Sequence, residues 1–289
     1  MKIAFVILNY NTYNETVDCI LSIENKIDTD DYKIVIIDNC STDDSASKLS
    51  DFIKTREKAE IIRNTENLGF ARGNNVGIGY VNKNYKPEFV AVINSDTELI
   101  QGNLTAMLDK EYQKSNFALL GPLVLTRDGK CDTSPMEIPN AENVKRDLAG
   151  YKKEERELKR GSYFFYRVRH YLKNKINRKS QKSPKFCCDF HTYQTDVVIN
   201  GCFMIFSEKA FDFIDGFDER TFLYYEEAIL YCNLMKKGLT TVYDPRIVIY
   251  HKMGCATNSF IKRKKDEVLF RIKYAKESAD VLLSVLENE

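Results

Sequence analysis

Residues 90–98 read Val-Ala-Val-Ile-Asn-Ser-Asp-Thr-Glu, an apolar run that changes abruptly into a short polar turn. Unbroken valine and isoleucine are typical of a strand that is covered on both faces. The polar residues then emerge at the carboxyl end of this strand, which is where ligands bind in open α/β sheets. A carboxylate at Asp96 is suited to a hard divalent cation. The competing interpretation is a helix cap by Asp96 or Thr97, for a helix that begins near Gly102.

Strands and helices alternate around this stretch. Apolar runs predict strands, and apolar periodicity predicts helices between them. The alternation predicts a Rossmann-like α/β fold, with a mostly parallel sheet flanked by helices. No Gly-x-Gly-x-x-Gly follows the first strand, which argues against a dinucleotide cofactor. The predicted strands of this half are 3–8, 34–37, 61–62, 90–94 and 117–125, and the predicted helices include 12–24 and 101–114.

The composition is that of an ordinary globular protein. The chain has 289 residues, of which 43% are hydrophobic and 29% charged, enough for one large α/β domain. A net charge of +1 gives no general attraction to nucleic acid, so we expect no nucleic-acid partner. The eight cysteines lack the paired spacing of zinc sites, which indicates reduced thiols and a cytoplasmic protein. We expect no signal peptide and no membrane span, so that any membrane contact is peripheral.

Polar side chains also follow other predicted strands. Residues 9–11 form an Asn-Tyr-Asn turn, and Asp38 ends the second strand, where a carboxylate can bind a base or a ribose. The segment 67–75 is rich in glycine and asparagine, which suggests backbone held close to a ligand, although ordinary connections also contain glycine. Asn200-Gly201-Cys202 interrupts a later apolar run, predicted as a strand at 195–206, in the same way.

The second half of the chain contains an acidic helix start. Glu226 and Glu227 open a helix predicted to run to Lys237, and two acids at this position favour the helix dipole. Short strands are predicted at 240–243 and 247–251, ending at His251.

The strand and helix pattern dissolves between residues 126 and 190. Within it, residues 151–185 combine many lysines and arginines with tyrosines and phenylalanines. Such a mixture suits acceptor docking or attachment to an anionic membrane surface. A solvated insertion whose aromatic side chains pack on the main domain explains the same composition.

Taken together, these motifs resemble the family 2 glycosyltransferases, and within them the rhamnosyltransferase-like branch that builds bacterial surface polysaccharides. The resemblance covers most of the chain outside the insertion. The matching segments, in chain order, are Ile7–Asn11, Ile37–Asp43, Asn67–Asn75, Asn94–Asp96, Asn200–Gly201, Gly216–Asp218, Glu226–Glu227 and His251.

The resemblance implies a GT-A fold and a transfer reaction. The donor would be a nucleotide-diphosphate sugar and the acceptor a hydroxyl of a glycan or lipid-linked saccharide, with the protein in the cytoplasm or at the inner face of the plasma membrane. We expect a nucleotide-sugar-binding half at 1–125 and the basic aromatic insertion at 126–190. An acceptor-binding and catalytic half of the same domain would follow at 191–258, and an amphipathic C-terminal helix at 259–289.

The resemblance also implies roles for individual residues. Asp96 is similar to the last member of the family's Asp-x-Asp motif, with Asn94 in its first position, and His251 to an additional ligand of Mg²⁺ or Mn²⁺. Asp38 would bind the nucleobase. The expected donor-binding set is Asn9, Asn11, Asp38, Asn67, Gly73, Asn74, Asn94, Ser95 and Asp96.

The catalytic base implied by the resemblance is the second acid of the pair, Glu227, with Glu226 left open as the alternative. A single displacement would invert the anomeric configuration. Family members usually carry a further aspartate at the position of Ile229. Two other functions remain as alternatives: a non-catalytic sugar-nucleotide-binding subunit of an assembly complex, and a nucleotidyltransferase. The latter should carry an early phosphate loop rich in glycine and lysine, which this sequence lacks.

Overall fold

The apolar runs of the sequence form one mixed sheet, flanked by helices. The computed structural model describes residues 1–126, 135–160, 163, 166, 190–252 and 264–287. In these residues the sheet has nine strands: β1 Ile3–Asn9, β2 Tyr32–Asp38, β3 Ala59–Arg63, β4 Phe89–Asn94, β5 Thr97–Leu99, β6 Leu119–Thr126, β7 Gln194–Thr195, β8 Phe203–Ser207 and β9 Thr241–His251. The helices are α1 Tyr13–Lys26, α2 Ser45–Ile53, α3 Gly69–Asn84, α4 Leu104–Ser115, α5 Ala141–Arg160, α6 Glu226–Lys236 and α7 Lys264–Glu287, with a 3-10 helix at Glu208–Asp212.

The strand order is β3-β2-β1-β4-β8-β6-β9-β5, and β7 pairs with β9. Strands β1 to β4 are mutually parallel, as predicted for the first half. The second half is mixed, because β8 runs antiparallel to β4 and β6, while β9 is parallel to β6. The α/β prediction is confirmed, with antiparallel strands added beyond β4.

Both faces of the sheet are covered by helices, which explains the unbroken apolar runs. Residues 3–7 of β1 are 0% exposed, and so are residues 34–37 of β2. Side chains from alternate positions of these strands enter two separate apolar clusters. Burial on both faces requires apolar residues at every position of a strand.

The structure corrects several element predictions. The strand predicted at 195–206 is two strands, β7 and β8, with residues 200–202 between them. The two strands predicted at 240–243 and 247–251 are one strand, β9. Its ladder with β6 shifts register, since Pro122 pairs with Asp244 and Leu123 with Val248. The helix expected near Gly102 begins at Leu104, with Asn103 at its N-cap, so Asp96 and Thr97 do not cap it.

A long helix, α5, lies in the segment where the pattern dissolves. It packs on α7, and Val144, Leu148, Ala279 and Leu282 contact the buried side of α6. Ile229 is 0% exposed in this cluster. Packing therefore accounts for an apolar residue at this position, because an aspartate here would bury a carboxylate among aliphatic side chains. None of the helices in the described ranges combines the length and the apolar character needed to cross a bilayer.

Candidate functional site

The acidic pair at the start of α6 faces an open cleft of about 440 Å³. Glu226 and Glu227 line it together with Asn94 at the end of β4, Gly201 before β8 and His251 at the end of β9. These residues come from four distant parts of the sequence. Strand ends and one helix start therefore meet at a single edge of the sheet, as expected for a ligand site in an α/β fold.

Asp96 and His251 are brought together by the short strand β5. Thr97 of β5 pairs with His251 of β9, and the backbone N–H of Lys252 donates to the Asp96 carbonyl over 2.9 Å. The His251 Nε2 atom then lies 3.2 Å from the Asp96 Oδ1 atom. Their side chains are 11% and 6% exposed. The two residues predicted as metal ligands, 155 positions apart in sequence, are neighbours.

This pair fits a hard divalent cation that is shared with a substrate. One carboxylate oxygen and one imidazole nitrogen are ligands that Mn²⁺ and Mg²⁺ accept, with the remaining positions taken by phosphate oxygens and water. Across the described segments, no group of three or more His, Cys, Asp or Glu side chains is placed to hold a metal on its own. The protein side of such a site would thus consist of Asp96 and His251.

The turns after β1 and β2 are locked together by Asp38. Its Oδ1 atom accepts hydrogen bonds from Asn9 Nδ2 at 2.7 Å and from the Ser41 hydroxyl at 2.6 Å. Its Oδ2 atom accepts from the Ser41 backbone N–H at 3.1 Å. Asn11, in the left-handed region with φ 56°, accepts from the backbone N–H of Thr42 over 2.8 Å. The predicted nucleotide turn is therefore a rigid, hydrogen-bonded unit.

A polar network connects this turn to the Asp96 turn. Asn9 Oδ1 accepts from the Thr12 hydroxyl at 3.1 Å. The Thr12 hydroxyl lies 3.0 Å from that of Ser95, which is 4% exposed. Ser95 was predicted at the donor site from its sequence position, whereas Thr12 was not. The sequence signal of Thr12 was its place between the Asn-x-Asn turn and α1. This series of hydrogen bonds fixes the two predicted donor turns relative to each other. It runs from Asp38 through Asn9 and Thr12 to Ser95.

Asn39 also holds the predicted donor turns together, and it was not predicted as a site residue. It is 2% exposed, and its side-chain amide donates to the Asn67 Oδ1 atom over 3.0 Å and to the Gly69 carbonyl over 3.1 Å. Its own Oδ1 atom accepts from the backbone N–H of Leu68 over 3.0 Å. The available signal was its position directly after Asp38 at a strand end. Asn39 ties the turn after β2 to the start of α3.

The glycine and asparagine pattern at 67–75 has packing reasons in part. A Cβ on Gly73 would lie 2.8 Å from the Leu8 Cδ1 atom, so glycine here lets α3 approach β1. Asn74 is 1% exposed, and its amide donates to the Phe70 carbonyl over 3.0 Å. Neither of these predicted donor residues lines the cleft, so their contact with a donor stays a prediction.

The two acids differ in exposure. Glu226 is 4% exposed, and its Oε1 atom has no hydrogen-bond partner among the residues described. Glu227 lies deep in the cleft, with part of its side chain accessible. Burial raises the pKa of both carboxyls, and the charge of Glu227 raises the pKa of Glu226 further. The pair therefore binds protons more tightly than ordinary carboxyls do.

Gly201 is the residue that lets the strand end approach the acids. Its backbone N–H favours the charged form of the Glu227 carboxyl, and a Cβ added to Gly201 would lie 2.6 Å from the Glu227 Oε1 atom. The backbone at Gly201 therefore lies against a protein carboxylate, and its approach to a bound ligand stays a prediction.

A strained turn precedes the acids, and side chains of α5 and α7 contact it. Tyr224 and Tyr225 have φ values of 77° and 66°, in the left-handed region that side chains with a Cβ rarely adopt. The Ser278 hydroxyl of α7 donates to the Leu223 carbonyl over 2.9 Å. The Tyr225 hydroxyl lies 3.1 Å from that of Tyr151 on α5. Such strain persists only where surrounding contacts impose it, so α5 and α7 position the acidic pair.

Phe222 connects this turn to the start of α3. Its carbonyl accepts from the Phe70 backbone N–H over 2.8 Å, and its ring stacks on Tyr274 of α7 with centroids 4.3 Å apart. Gly69 has φ 77°, and a Cβ there would lie 2.3 Å from the Phe222 oxygen. Glycine at 69 is therefore needed both for its backbone conformation and for this contact.

We expect Gly69→Ala to lower the free energy of unfolding by about 2 kcal/mol or more, because it combines left-handed strain with a backbone clash. Gly79→Ala is the matched control on the same helix, since nothing lies within 4 Å of its added Cβ. Alanine there should raise the free energy of unfolding by roughly 0.5–1 kcal/mol. Urea denaturation of both variants measures the difference, and equal stability of the two would contradict this account.

Comparison with known proteins shows which family the chain resembles. The family described as Glycosyl transferase family 2 matches residues 4–213. An N-acetylglucosaminyl-diphospho-decaprenol L-rhamnosyltransferase of Mycobacterium tuberculosis is 24% identical over 234 residues, which cover 78% of this chain and 67% of that protein.

Solved structures show the same fold at low sequence identity. S. aureus TarS 1-349 in complex with UDP-GlcNAc has a TM-score of 0.53 and 13% identity, covering 100% of this chain and 72% of that one. GalNAc-T7 with UDP, GalNAc and Mn²⁺ has a TM-score of 0.55 and 13% identity, covering 87% of this chain and 43% of that one. The predicted resemblance and the GT-A fold are confirmed. Since the family match extends over most of the sequence, the chain belongs to glycosyl transferase family 2.

Proposed function

We propose that this chain transfers a sugar from a nucleotide-diphosphate donor to a hydroxyl of a glycan or lipid-linked saccharide, in the synthesis of a cell-surface polysaccharide. The observation that carries the proposal is the meeting of two pairs at one edge of the sheet. The acids Glu226 and Glu227 line the same cleft as His251, whose imidazole contacts Asp96. A base for the acceptor and ligands for the leaving group are thus adjacent.

The donor is assigned to the locked turns after β1 and β2. Asp38, Asn9 and Asn11 form one rigid unit, and Asn39 joins it to Asn67. Preformed polar turns at the carboxyl ends of parallel strands are suited to a nucleotide. Asn94 ends β4 and Ser95 follows it, between these turns and Asp96. The TarS and GalNAc-T7 structures contain UDP-GlcNAc and UDP, which supports a nucleoside diphosphate as the donor's leaving group.

Asp96 and His251 would hold Mg²⁺ or Mn²⁺, and the cation, when bound, would neutralise charge on the departing diphosphate. The Mn²⁺ in the GalNAc-T7 structure supports a divalent cation in this fold. The contribution of the protein is to fix both ligands by the pairing of β5 with β9 and to keep them nearly buried.

Glu227 is the proposed base. Its side chain is partly accessible in the cleft, whereas Glu226 is 4% exposed behind it. Glu227 would take the proton of the acceptor hydroxyl while the hydroxyl oxygen bonds to the anomeric carbon and the bond to the diphosphate breaks. Attack opposite the leaving group inverts the anomeric configuration. The backbone of Gly201 lies against this carboxylate, because a Cβ added there would be 2.6 Å from its Oε1 atom.

A lipid-linked acceptor is supported by the curated relative, whose name describes a diphospho-decaprenol substrate. Such an acceptor would bring the enzyme to a membrane surface, at the cytoplasmic face. The basic aromatic segment is the part of the chain that we propose for this peripheral contact. Its Lys173–Lys185 cluster lies outside the described residues.

No observation among the described residues favours the non-catalytic alternative. That alternative was motivated by Ile229 and by a Glu-Glu pair in place of Glu-Asp. The packing of α6 against α5 and α7 explains Ile229. Both acids and both candidate metal ligands are present and adjacent.

The proposal is tested by incubating the protein with UDP-, GDP- and dTDP-sugars, with Mn²⁺, Mg²⁺ or EDTA, and by measuring nucleoside diphosphate release. Slow hydrolysis of one donor that EDTA abolishes is the expected result. Calorimetry with the same donors complements this assay, because some transferases act only with their acceptor. Absence of both hydrolysis and binding across the panel would overturn the proposed function.

A further inference from the structure

The cleft extends beyond the acids, and helices α5 and α7 build its outer wall. Tyr151 comes from α5, Arg271 and Ala275 come from α7, and Tyr224 and Tyr225 come from the strained turn. Of the residues that line the cleft in the described part of the chain, Arg271 is the only lysine or arginine. Asn9, Asp38 and Asn67, in the proposed donor turns, are not in this lining. The outer cleft is therefore on the acceptor side.

Arg271 is held in place from behind. Its Nη2 atom lies 2.8 Å from the Glu154 Oε1 atom, and the Glu154 side chain is 14% exposed. The Tyr166 hydroxyl donates to the same Glu154 oxygen. The Arg271 side chain is itself 42% exposed. A guanidinium has N–H donors on two further nitrogens, so the ion pair fixes its position while leaving donors for a ligand.

The wall around Arg271 combines aromatic surface with one cation. Tyr151, Tyr224 and Tyr225 present rings with polar hydroxyls, the kind of surface that packs on a saccharide or an isoprenoid chain while remaining partly solvated. Arginine binds phosphate oxygens bidentately and more selectively than lysine does. An acceptor whose hydroxyl lies at Glu227 would extend along this wall towards Arg271.

We infer that the outer cleft is a subsite for a phosphate or diphosphate ester of the acceptor, in which Arg271 binds the phosphate and Glu154 positions Arg271. The inference rests on the proposed function and specifies it: the acceptor is a glycosyl diphosphate lipid, not an uncharged glycan. A diphosphate also occurs in the donor, so the experiment must separate the two sources.

The test is calorimetric binding of farnesyl diphosphate and of farnesol to the full chain, with Mn²⁺ and with or without excess UDP. We expect farnesyl diphosphate to bind in the presence of UDP, and farnesol to bind much more weakly. Arg271→Gln should weaken farnesyl diphosphate binding about tenfold or more, and Arg271→Lys by less, because lysine keeps the charge but not the paired donors. UDP affinity should be the same in all variants.

Lys276→Gln is the matched control. Lys276 forms the neighbouring α5 to α7 ion pair, 2.5 Å from Glu155, and does not line the cleft. It should bind farnesyl diphosphate like the wild type, with a change in melting temperature similar to that of Arg271→Gln. Failure of the wild type to bind farnesyl diphosphate, or equal binding by Arg271→Gln, would overturn the inference. Loss of UDP affinity in Arg271→Gln would also do so, by assigning Arg271 to the donor. A protein that hydrolyses a donor but does not bind farnesyl diphosphate retains the proposed function and loses only this subsite.

Discussion

Replacing Glu227 with glutamine is expected to lower kcat by about 10²- to 10⁴-fold, because the amide cannot take the proton of the acceptor hydroxyl. The change keeps the size of the side chain, which the close approach of Gly201 requires. The KM for the donor should change little, since the proposed donor turns lie elsewhere. Steady-state kinetics with the donor and acceptor identified by the assays above measures both parameters.

Glu226→Gln is the control that separates the two acids. It removes the buried carboxylate and leaves the accessible one, so most of kcat should remain. Because the charge of Glu227 raises the pKa of Glu226, Glu227 ionises while Glu226 is still neutral, so the pH dependence of activity should change little in Glu226→Gln. The opposite outcome, with Glu226→Gln inactive and Glu227→Gln active, would assign the base to Glu226.

The raised pKa values of the acidic pair also predict a pH dependence. A base must be deprotonated to act, so wild-type activity should rise with pH above the range in which ordinary carboxyls titrate. The free energy of unfolding, in contrast, should decrease as pH rises through this range. A carboxyl whose pKa is higher in the folded state stabilises the fold while protonated, and this stabilisation is lost as pH rises from the unfolded to the folded pKa. Glu227→Gln should therefore lose less stability than the wild type across that interval, as measured by urea denaturation at several pH values.

The sequence predicted which polar residues lie at strand ends. Asp38, Asn94 and Asp96 each close an apolar run, and the carboxyl ends of parallel strands meet at one edge of a sheet. The expected proximity of Asp96 and His251 is found, but its cause was not predicted. It depends on β5, three residues whose pairing with β9 is set by tertiary contacts and leaves no periodic signal in so short a segment.

The parts that sequence reasoning missed are those in which side chains bind one another across long separations. Thr12 and Asn39 organise the proposed donor turns through partners 83 and 28 residues away, Ser95 and Asn67. Helix α5 was missed because its apolar positions, Val144, Leu148 and Leu158, are few among charged residues. Its stability comes from the face it shares with α7. Tertiary packing of this kind overrides weak local patterns.

The backbone conformation of the strained turn also could not be predicted from the local sequence. Nothing in the local sequence favours left-handed Tyr224 and Tyr225, since neither is glycine or asparagine. The conformation follows from contacts with Tyr151 and Ser278, on helices that precede and follow it in the chain. The acids at the start of α6 were predictable as a motif, whereas their orientation depends on a scaffold that only the three-dimensional structure reveals.

Replacing Asp96 with asparagine is expected to raise the Mn²⁺ concentration needed for half-maximal activity by at least about tenfold. Asparagine keeps the size of the side chain but removes the charge that a hard cation requires. His251→Ala, which removes the other proposed ligand, should have a similar effect. Metal titration of donor hydrolysis measures the shift, and Mn²⁺ binding followed by electron paramagnetic resonance provides a readout that does not depend on turnover.

Glu98→Gln provides a control for general loss of negative charge near this turn. Glu98 lies on β5, two residues after Asp96, and its carboxylate pairs with Lys252 at 2.7 Å. This variant should keep the metal dependence of the wild type. A normal Mn²⁺ requirement in Asp96→Asn, or the same shift in Glu98→Gln, would show that the Asp96 carboxylate does not bind the cation. Asp96 contacts His251, which lines the cleft, and Ser95 links the Asp96 turn to the turn of Asn9. A metal bound by Asp96 and His251 would therefore lie between the proposed acceptor side of the cleft and the proposed donor turns. Loss of this link should therefore reduce turnover more than donor binding.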